Sequence, residues 1–126
     1  MPLQTTHRQP KKMTESQRQR FSAALSRVAG DEEVLEMLAK IAAEDAPGLM
    51  SQLQDHIQQG ELAEAAKVGH ALKGLLSTFE TGEPVSELQP LIDAARAGDE
   101  ASVTSVHASV RPQLNTLVTE IGELAG

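Results

Sequence analysis

The amino-acid pattern predicts an all-α protein: an antiparallel up-and-down four-helix bundle with a short additional helix at its N-terminal side. Apolar residues recur at three- and four-residue spacing along most of the chain after Met13, the period of an amphipathic helix. No segment alternates polar and apolar residues as a half-buried strand does. Glycines, prolines and capping acids divide the periodic stretches into long segments joined by short connections, which favours antiparallel neighbours. A chain of 126 residues is long enough for one domain with a core and too short for two ordinary ones.

Residues 1–12 hold two prolines and no apolar period, and read as a disordered tail that includes His7. Met13-Thr14-Glu15 looks like a natural start, so the domain is expected over 13–126. A first helix, about Thr14 to Ala29, takes Thr14 as its cap and buries Phe21, Leu25 and Val28. Gly30 ends it and Asp31 caps the next. The second helix runs from Glu32 with Val34, Leu35, Leu38 and Ile41 on one face. Pro47 then either kinks one long helix or starts another. Leu49, Leu53 and Ile57 carry the stripe to Gln59, before Gly60. The next helix spans Glu61 to about Phe79, followed by the connector Thr81-Gly82-Glu83-Pro84. Val85 to Ala97 stops at Gly98, and Glu100 to Leu124 is capped by Asp99, with a bend or break expected near Val110 because of Pro112.

Composition removes several function classes. There is no Cys, which excludes disulfides, thiolate metal sites and cysteine nucleophiles. Phe21 and Phe79 are the only aromatic residues, so base stacking on a nucleic-acid strand has almost no platform. No run approaches the roughly 18 apolar residues of a membrane span, and the basic N-terminus lacks the apolar centre of a secretory signal. A cytoplasmic protein with no nucleic-acid or membrane partner, monomeric in itself, is the expectation. Charge is unevenly spread: residues 1–29 carry six Lys/Arg and one acid (+5), and residues 30–126 carry five Lys/Arg and seventeen acids (−12), which together give −7. Two of the five cations in the acidic part, Lys67 and Lys73, flank His70, and such a positive spot suits an anionic site or partner.

The run Lys67-Val68-Gly69-His70-Ala71-Leu72-Lys73-Gly74-Leu75-Leu76-Ser77-Thr78-Phe79 is the most informative part of the chain. On a helical wheel turning about 100° per residue, Ala63, Ala66, Lys67, Lys73, Gly74 and Ser77 share the His70 face. Ala65, Val68, Leu72, Leu75, Leu76 and Phe79 occupy the opposite arc. His70 therefore points away from the core among cationic or small neighbours. Neutral imidazole is nucleophilic near neutral pH and suits a phosphoryl carrier. Lys73, one turn on, can reach a phosphoryl oxygen on the ring, and Lys67, one turn back, can do the same or meet an acidic partner rim. Gly74 costs roughly 1 kcal/mol of helix stability relative to alanine, which suggests a use other than helix formation: clearance for a partner or close internal packing. The other histidines carry no such pattern. His56 and His107 each lack a second ligand at helical spacing, so metal binding at either is not expected.

His70-Ala71-Leu72-Lys73-Gly74 resembles the His-x-Leu-Lys-Gly signature of histidine-containing phosphotransfer (HPt) domains. Gly30-Asp31-Glu32-Glu33-Val34-Leu35, Glu44-Asp45-Ala46-Pro47-Gly48-Leu49 and Gly60 resemble that family's preceding helices, so the likeness extends from about Phe21 to the C-terminus. The resemblance implies a phosphorelay intermediate that accepts phosphate from a receiver-domain aspartate and passes it to another receiver. His70 would be the phosphoacceptor at Nε2, Lys73 the phosphoryl-stabilising residue and Gly74 the clearance. Ala63, Ala66, Lys67, Gly74 and Ser77 would line the contact. Partners would be response-regulator receivers and a hybrid sensor histidine kinase. The chain would need no cofactor of its own, Mg²⁺ coming with the receiver. It has no Walker-type glycine loop and is too short to add a kinase nucleotide domain, so it would be a phosphocarrier rather than an enzyme. Two features depart from the signature. Leu75 and Leu76 follow Gly74 where small residues are usual, and Glu80 stands where a glycine is usual, with Gly82 two residues later. An interaction-only bundle with an incidental histidine, and the phosphoacceptor segment of a chemotaxis-type histidine kinase, remain as alternatives.

Overall fold

The computed structural model describes residues 13–126; the tail expected over 1–12, with His7, lies outside the described residues. Thr14 starts the first helix with a reciprocal capping box. Its hydroxyl accepts the Gln17 N–H at 3.1 Å, while the Gln17 side chain accepts the Thr14 N–H at 2.9 Å. The segment expected as one helix is two: α1, Glu15–Arg20, and α2, Ser22–Arg27. They meet at Phe21, whose backbone leaves helical geometry (φ −110°, ψ 31°). The buried Phe21 ring meets Phe79 edge-on, with centroids 6.2 Å apart, so the helix is interrupted at the residue whose aromatic ring turns into the core. Ala29 (φ 57°) and Gly30 (φ 78°) then turn left-handed, and the Gly30 N–H closes back onto the Leu25 carbonyl at 2.7 Å.

Asp31 caps α3, Glu32–Gln58, by accepting the Val34 N–H at 3.2 Å. Pro47 lies inside this one continuous helix. A proline removes one i→i−4 bond; that loss is offset along α3 by the buried seam of Leu35, Ala39, Ala42, Ala46, Leu53 and Ile57. The seam corrects the expected face. Val34 and Ile41 are 36% and 51% exposed, because alanines rather than the larger residues meet the neighbouring helices. Three alanines on one face permit close packing and leave Val34, Met37 and Ile41 outside.

After Gly60 come α4, Leu62–Leu76, a 3₁₀ turn at Val85–Glu87, α5, Leu88–Arg96, and α6, Glu100–Ala125. Asp99 caps α6 through the Ser102 N–H at 3.1 Å. Of the bend or break expected in this last helix, the break does not occur: α6 continues through Pro112, held by the buried side chains of Val103, Val110, Leu114, Leu117 and Ile121. The described residues contain helices and turns without a strand. α3 packs on both α4 and α6, α4 on α5, and α5 on α6, while α2 lies against α3. Among the described residues no helix is long and apolar enough to cross a membrane.

Candidate functional site

α4 presents His70. The helix starts after the left-handed Gly60 (φ 73°), and its entry is fastened by a 2.7 Å contact between His56 Nδ1 and Glu61 Oε1. Within α4, Ala65, Leu72 and Leu76 are buried, Val68 and Leu75 are half-buried, and Phe79 is buried just beyond the helix end. This is the arc placed opposite His70 by the sequence pattern. Leu75 and Leu76 thus turn toward the core, and His70 is exposed. Among the described residues, no hydrogen bond or ion pair engages its ring.

The exposed arc is not centred on His70, however. Ala66, expected at a partner contact, is 4% exposed and belongs to the core. Its stripe continues through Gly69 and Lys73 at helical spacing, and both of those residues face α5. A Cβ on Gly69 would stand 3.1 Å from Ile92 Cγ1 and 3.8 Å from Leu91 Cδ2. Gly69 therefore lets α5 approach α4 closely, on the side where Ala66 also falls. The opposite flank is open. Ala63, Lys67, Ala71 and Gly74 are exposed, and a Cβ on Gly74 would meet nothing within 4 Å. Of the two uses open to Gly74, internal packing is excluded.

The close α4–α5 seam brings a polar chain beside the histidine face. Half-buried Lys73 donates from Nζ to Gln89 Oε1 at 2.7 Å, and Gln89 Nε2 donates to Asp93 Oδ1 at 2.9 Å. The orientation of the amide follows from chemistry: a lysine only donates and a carboxylate only accepts, so the Gln89 oxygen must face Lys73. Sequence reasoning missed both Gly69 and Gln89. The signal available was that Gln89 and Asp93 lie four residues apart and so on one face of a helix. What was not legible is that this face lies against Lys73.

Lys67 is less free than its position suggested. It pairs with Glu64 at 3.4 Å, with 75% of its side chain exposed. Such a surface pair is worth about 0–1 kcal/mol and is readily exchanged for a partner's acid. Ser77 is half-buried, and its hydroxyl donates to the Lys73 carbonyl at 2.6 Å, so it finishes the helix and offers less to a partner than expected.

Glu80 has a definite structural role. α4 ends at Leu76 rather than at Phe79, and the following turn closes with the Glu80 N–H on the Leu76 carbonyl at 3.1 Å. The Glu80 carboxylate accepts the Gly82 N–H and an Arg20 N–H, both at 3.0 Å. Partial burial works against its charged form, but Gly82 and the Arg20 guanidinium outweigh this and hold the carboxyl below the usual carboxylate range. Arg20 also reaches Glu120 at 3.2 Å, and Arg27 donates to the Thr78 carbonyl at 2.8 Å. The two short N-terminal helices thus fasten the exit from α4 to the end of α6.

Elsewhere, His107 is half-buried beside Arg111 in a shallow groove of about 330 Å³ between α3 and α6. Burial, reinforced by Arg111, pushes its imidazole down from the ordinary value. No group of three or more His, Asp or Glu residues able to hold a metal ion occurs among the described residues. Compared with protein-family models, with curated proteins and with solved structures, the chain gives no match.

Proposed function

We propose that this chain is a phosphotransfer protein of the HPt type, with α3 to α6 as an antiparallel four-helix bundle and His70 as the phosphoacceptor. The observation that carries this reading is the asymmetric surface of α4. An unengaged, exposed imidazole stands between Lys73, steadied on the closed flank, and the open ground at Gly74. An exposed nucleophile on a convex helix suits a protein-borne substrate, since a small molecule is normally bound in a concave site. The sequential packing of α3, α4, α5 and α6, closed by α3 on α6, supports the bundle assignment.

The transfer is an in-line displacement. The Nε2 lone pair of neutral His70 forms the N–P bond as the P–O bond to the receiver aspartate breaks, and that carboxylate leaves with the bonding pair. Lys73 offsets the charge of the phosphoryl oxygens, while the receiver supplies Mg²⁺ and most of the catalytic groups. The reverse reaction at a second receiver completes the relay. Val34, Met37 and Ile41, at 36%, 62% and 51% exposure, form an apolar stripe on α3 that suits a protein partner. An interaction-only module would use the same stripe, so only the chemistry separates the two readings.

The test is incubation with phosphorylated receiver domains from the source organism. Label is expected on the chain as an acid-labile, base-stable species, and its persistence in His70→Gln would remove the site assignment. Absence of label from every receiver would leave the interaction module as the better account.

A further inference from the structure

From the hydrogen-bonded chain at the α4–α5 seam we infer that Gln89, oriented by Asp93, is a positioning residue for the phosphoryl-binding lysine. It holds Lys73 beside His70 in the unphosphorylated protein and releases it to the phosphoryl group. This inference rests on the phosphotransfer reading of His70 and specifies how that site is regulated.

The geometry assigns each atom one role. Asp93 Oδ1 accepts from Gln89 Nε2, which fixes the amide plane and leaves Oε1 as the acceptor for Lys73 Nζ. Gln89 and Asp93 lie on one face of α5, and Gly69 admits that helix to close contact. The carboxylate charge is therefore one residue removed from the ammonium, with a neutral amide between. A direct Lys–carboxylate pair would hold the lysine more strongly than an amide carbonyl does. The amide keeps a flexible four-carbon side chain in place without competing with a dianion. A phosphoryl group on His70 carries nearly two negative charges and accepts charge-assisted hydrogen bonds roughly twice as strong as neutral ones. Lys73 then exchanges the Gln89 oxygen for a phosphoryl oxygen. Gln89 Nε2 keeps Asp93 as its partner, and Oε1 belongs to a half-buried side chain that water can reach, so no buried polar group is stranded by the exchange.

Two substitutions at Gln89 separate this role from a structural one. Gln89→Ala removes the hold on Lys73. Gln89→Glu, of nearly the same size, replaces the amide by a competing carboxylate. Both are compared with wild type, with Lys73→Ala and with the double variant Gln89→Ala/Lys73→Ala. The probe is phosphoramidate, a small donor that needs no receiver, with the rate of His70 labelling and the lifetime of the phosphohistidine as readouts. Gln89→Ala should slow labelling by about three- to tenfold in the wild-type background, the cost of ordering a flexible lysine side chain that is no longer held in place. In the Lys73→Ala background it should change nothing, because a residue that acts through Lys73 has no effect once Lys73 is gone. Gln89→Glu should slow labelling at least as much as Gln89→Ala. Equal factors in the two backgrounds, or Gln89→Glu labelling at the wild-type rate, would overturn the positioning role while leaving His70 as phosphoacceptor. If wild type takes no label at His70 from phosphoramidate or from any receiver, the phosphotransfer reading fails and the inference goes with it.

Discussion

Gly74 tests the surface reading most sharply, because stability and docking should move in opposite directions there. The residue lies inside the last turn of α4, at a φ that any residue adopts, and a Cβ added to it meets nothing within 4 Å. Gly74→Ala therefore introduces no clash and removes the entropic cost of glycine in a helix, a gain of about 0.5–1 kcal/mol. For a domain of this size the unfolding entropy is roughly 0.24 kcal/mol/K, so the midpoint should rise by about 2–4 °C. Thermal unfolding followed by circular dichroism or calorimetry reads this directly. Gly69→Ala is the internal control, five residues earlier in the same helix. There the new Cβ would stand 3.1 Å from Ile92 Cγ1, so Gly69→Ala should be less stable than Gly74→Ala by roughly 1–3 kcal/mol. A Gly74→Ala protein that melts below wild type would refute the reasoning, since it would require a neighbour over Gly74 that the structure does not contain. The docking arm uses a larger probe: Gly74→Leu should keep the fold and weaken receiver binding. Unchanged affinity would show that the open ground serves no partner.

Three other outcomes follow from the same structure. Lys73→Ala should slow phosphoryl transfer to His70 while leaving the bundle folded, with a loss of unfolding free energy of about 1–2 kcal/mol, the weight of its hydrogen bond to Gln89, read by urea unfolding; equal transfer rates would remove its role. Ala29 is a non-glycine residue in the left-handed region (φ 57°), so Ala29→Gly should stabilise the turn into α3 by up to about 1 kcal/mol, read by chemical unfolding. His107 titrates below its ordinary value because burial and Arg111 disfavour its charged form. The unfolded chain therefore binds more protons than the folded one below about pH 6.5, and stability should fall as pH drops from there toward the folded value. His107→Gln should flatten that limb, and an unchanged pH profile would place the titrating group elsewhere.

The facing of the candidate site was legible in the sequence because one helix carries it. A 3.6-residue period places Leu72, Leu76 and Phe79 opposite His70 whatever the helix packs against. The errors arise where a second helix decides. Val34 and Ile41 fit the same period as Leu35, but packing selected Ala39, Ala42 and Ala46 for the seam of α3 and left the larger residues outside. Ala66 shares the His70 face on a wheel, yet α5 covers it, since the direction from which a neighbour approaches is absent from a one-helix pattern. Pro112 shows a similar limit. Local chemistry predicts a bend or a break there, and a long buried stripe on both sides of it outweighs one lost hydrogen bond and keeps the helix continuous. At Phe21 the helix period gave no warning of a break, and the ring there meets Phe79, fifty-eight residues away, a contact that a local pattern does not contain.

On the phosphotransfer reading proposed above, the two flanks of α4 divide the requirements of a phosphoryl carrier between them. A carrier must present its imidazole to different partners in turn, which requires open ground, and must hold a cation near the reacting nitrogen, which requires fixed neighbours. Concentrating both on one flank would set them against each other, since residues that steady Lys73 would also obstruct a docking protein. Here glycines on opposite sides of the same helix separate them. Gly69 brings α5 close enough for Gln89 to hold Lys73, and Gly74 leaves the other side bare. The N-terminal helices add a third constraint from outside the pair: Arg20 and Arg27 fasten the exit of α4 through Glu80 and Thr78. The helix that presents His70 is thereby held at its entry by the His56–Glu61 contact, along one side by α5 and at its exit by the two arginines. Its remaining face is the one a receiver would have to approach.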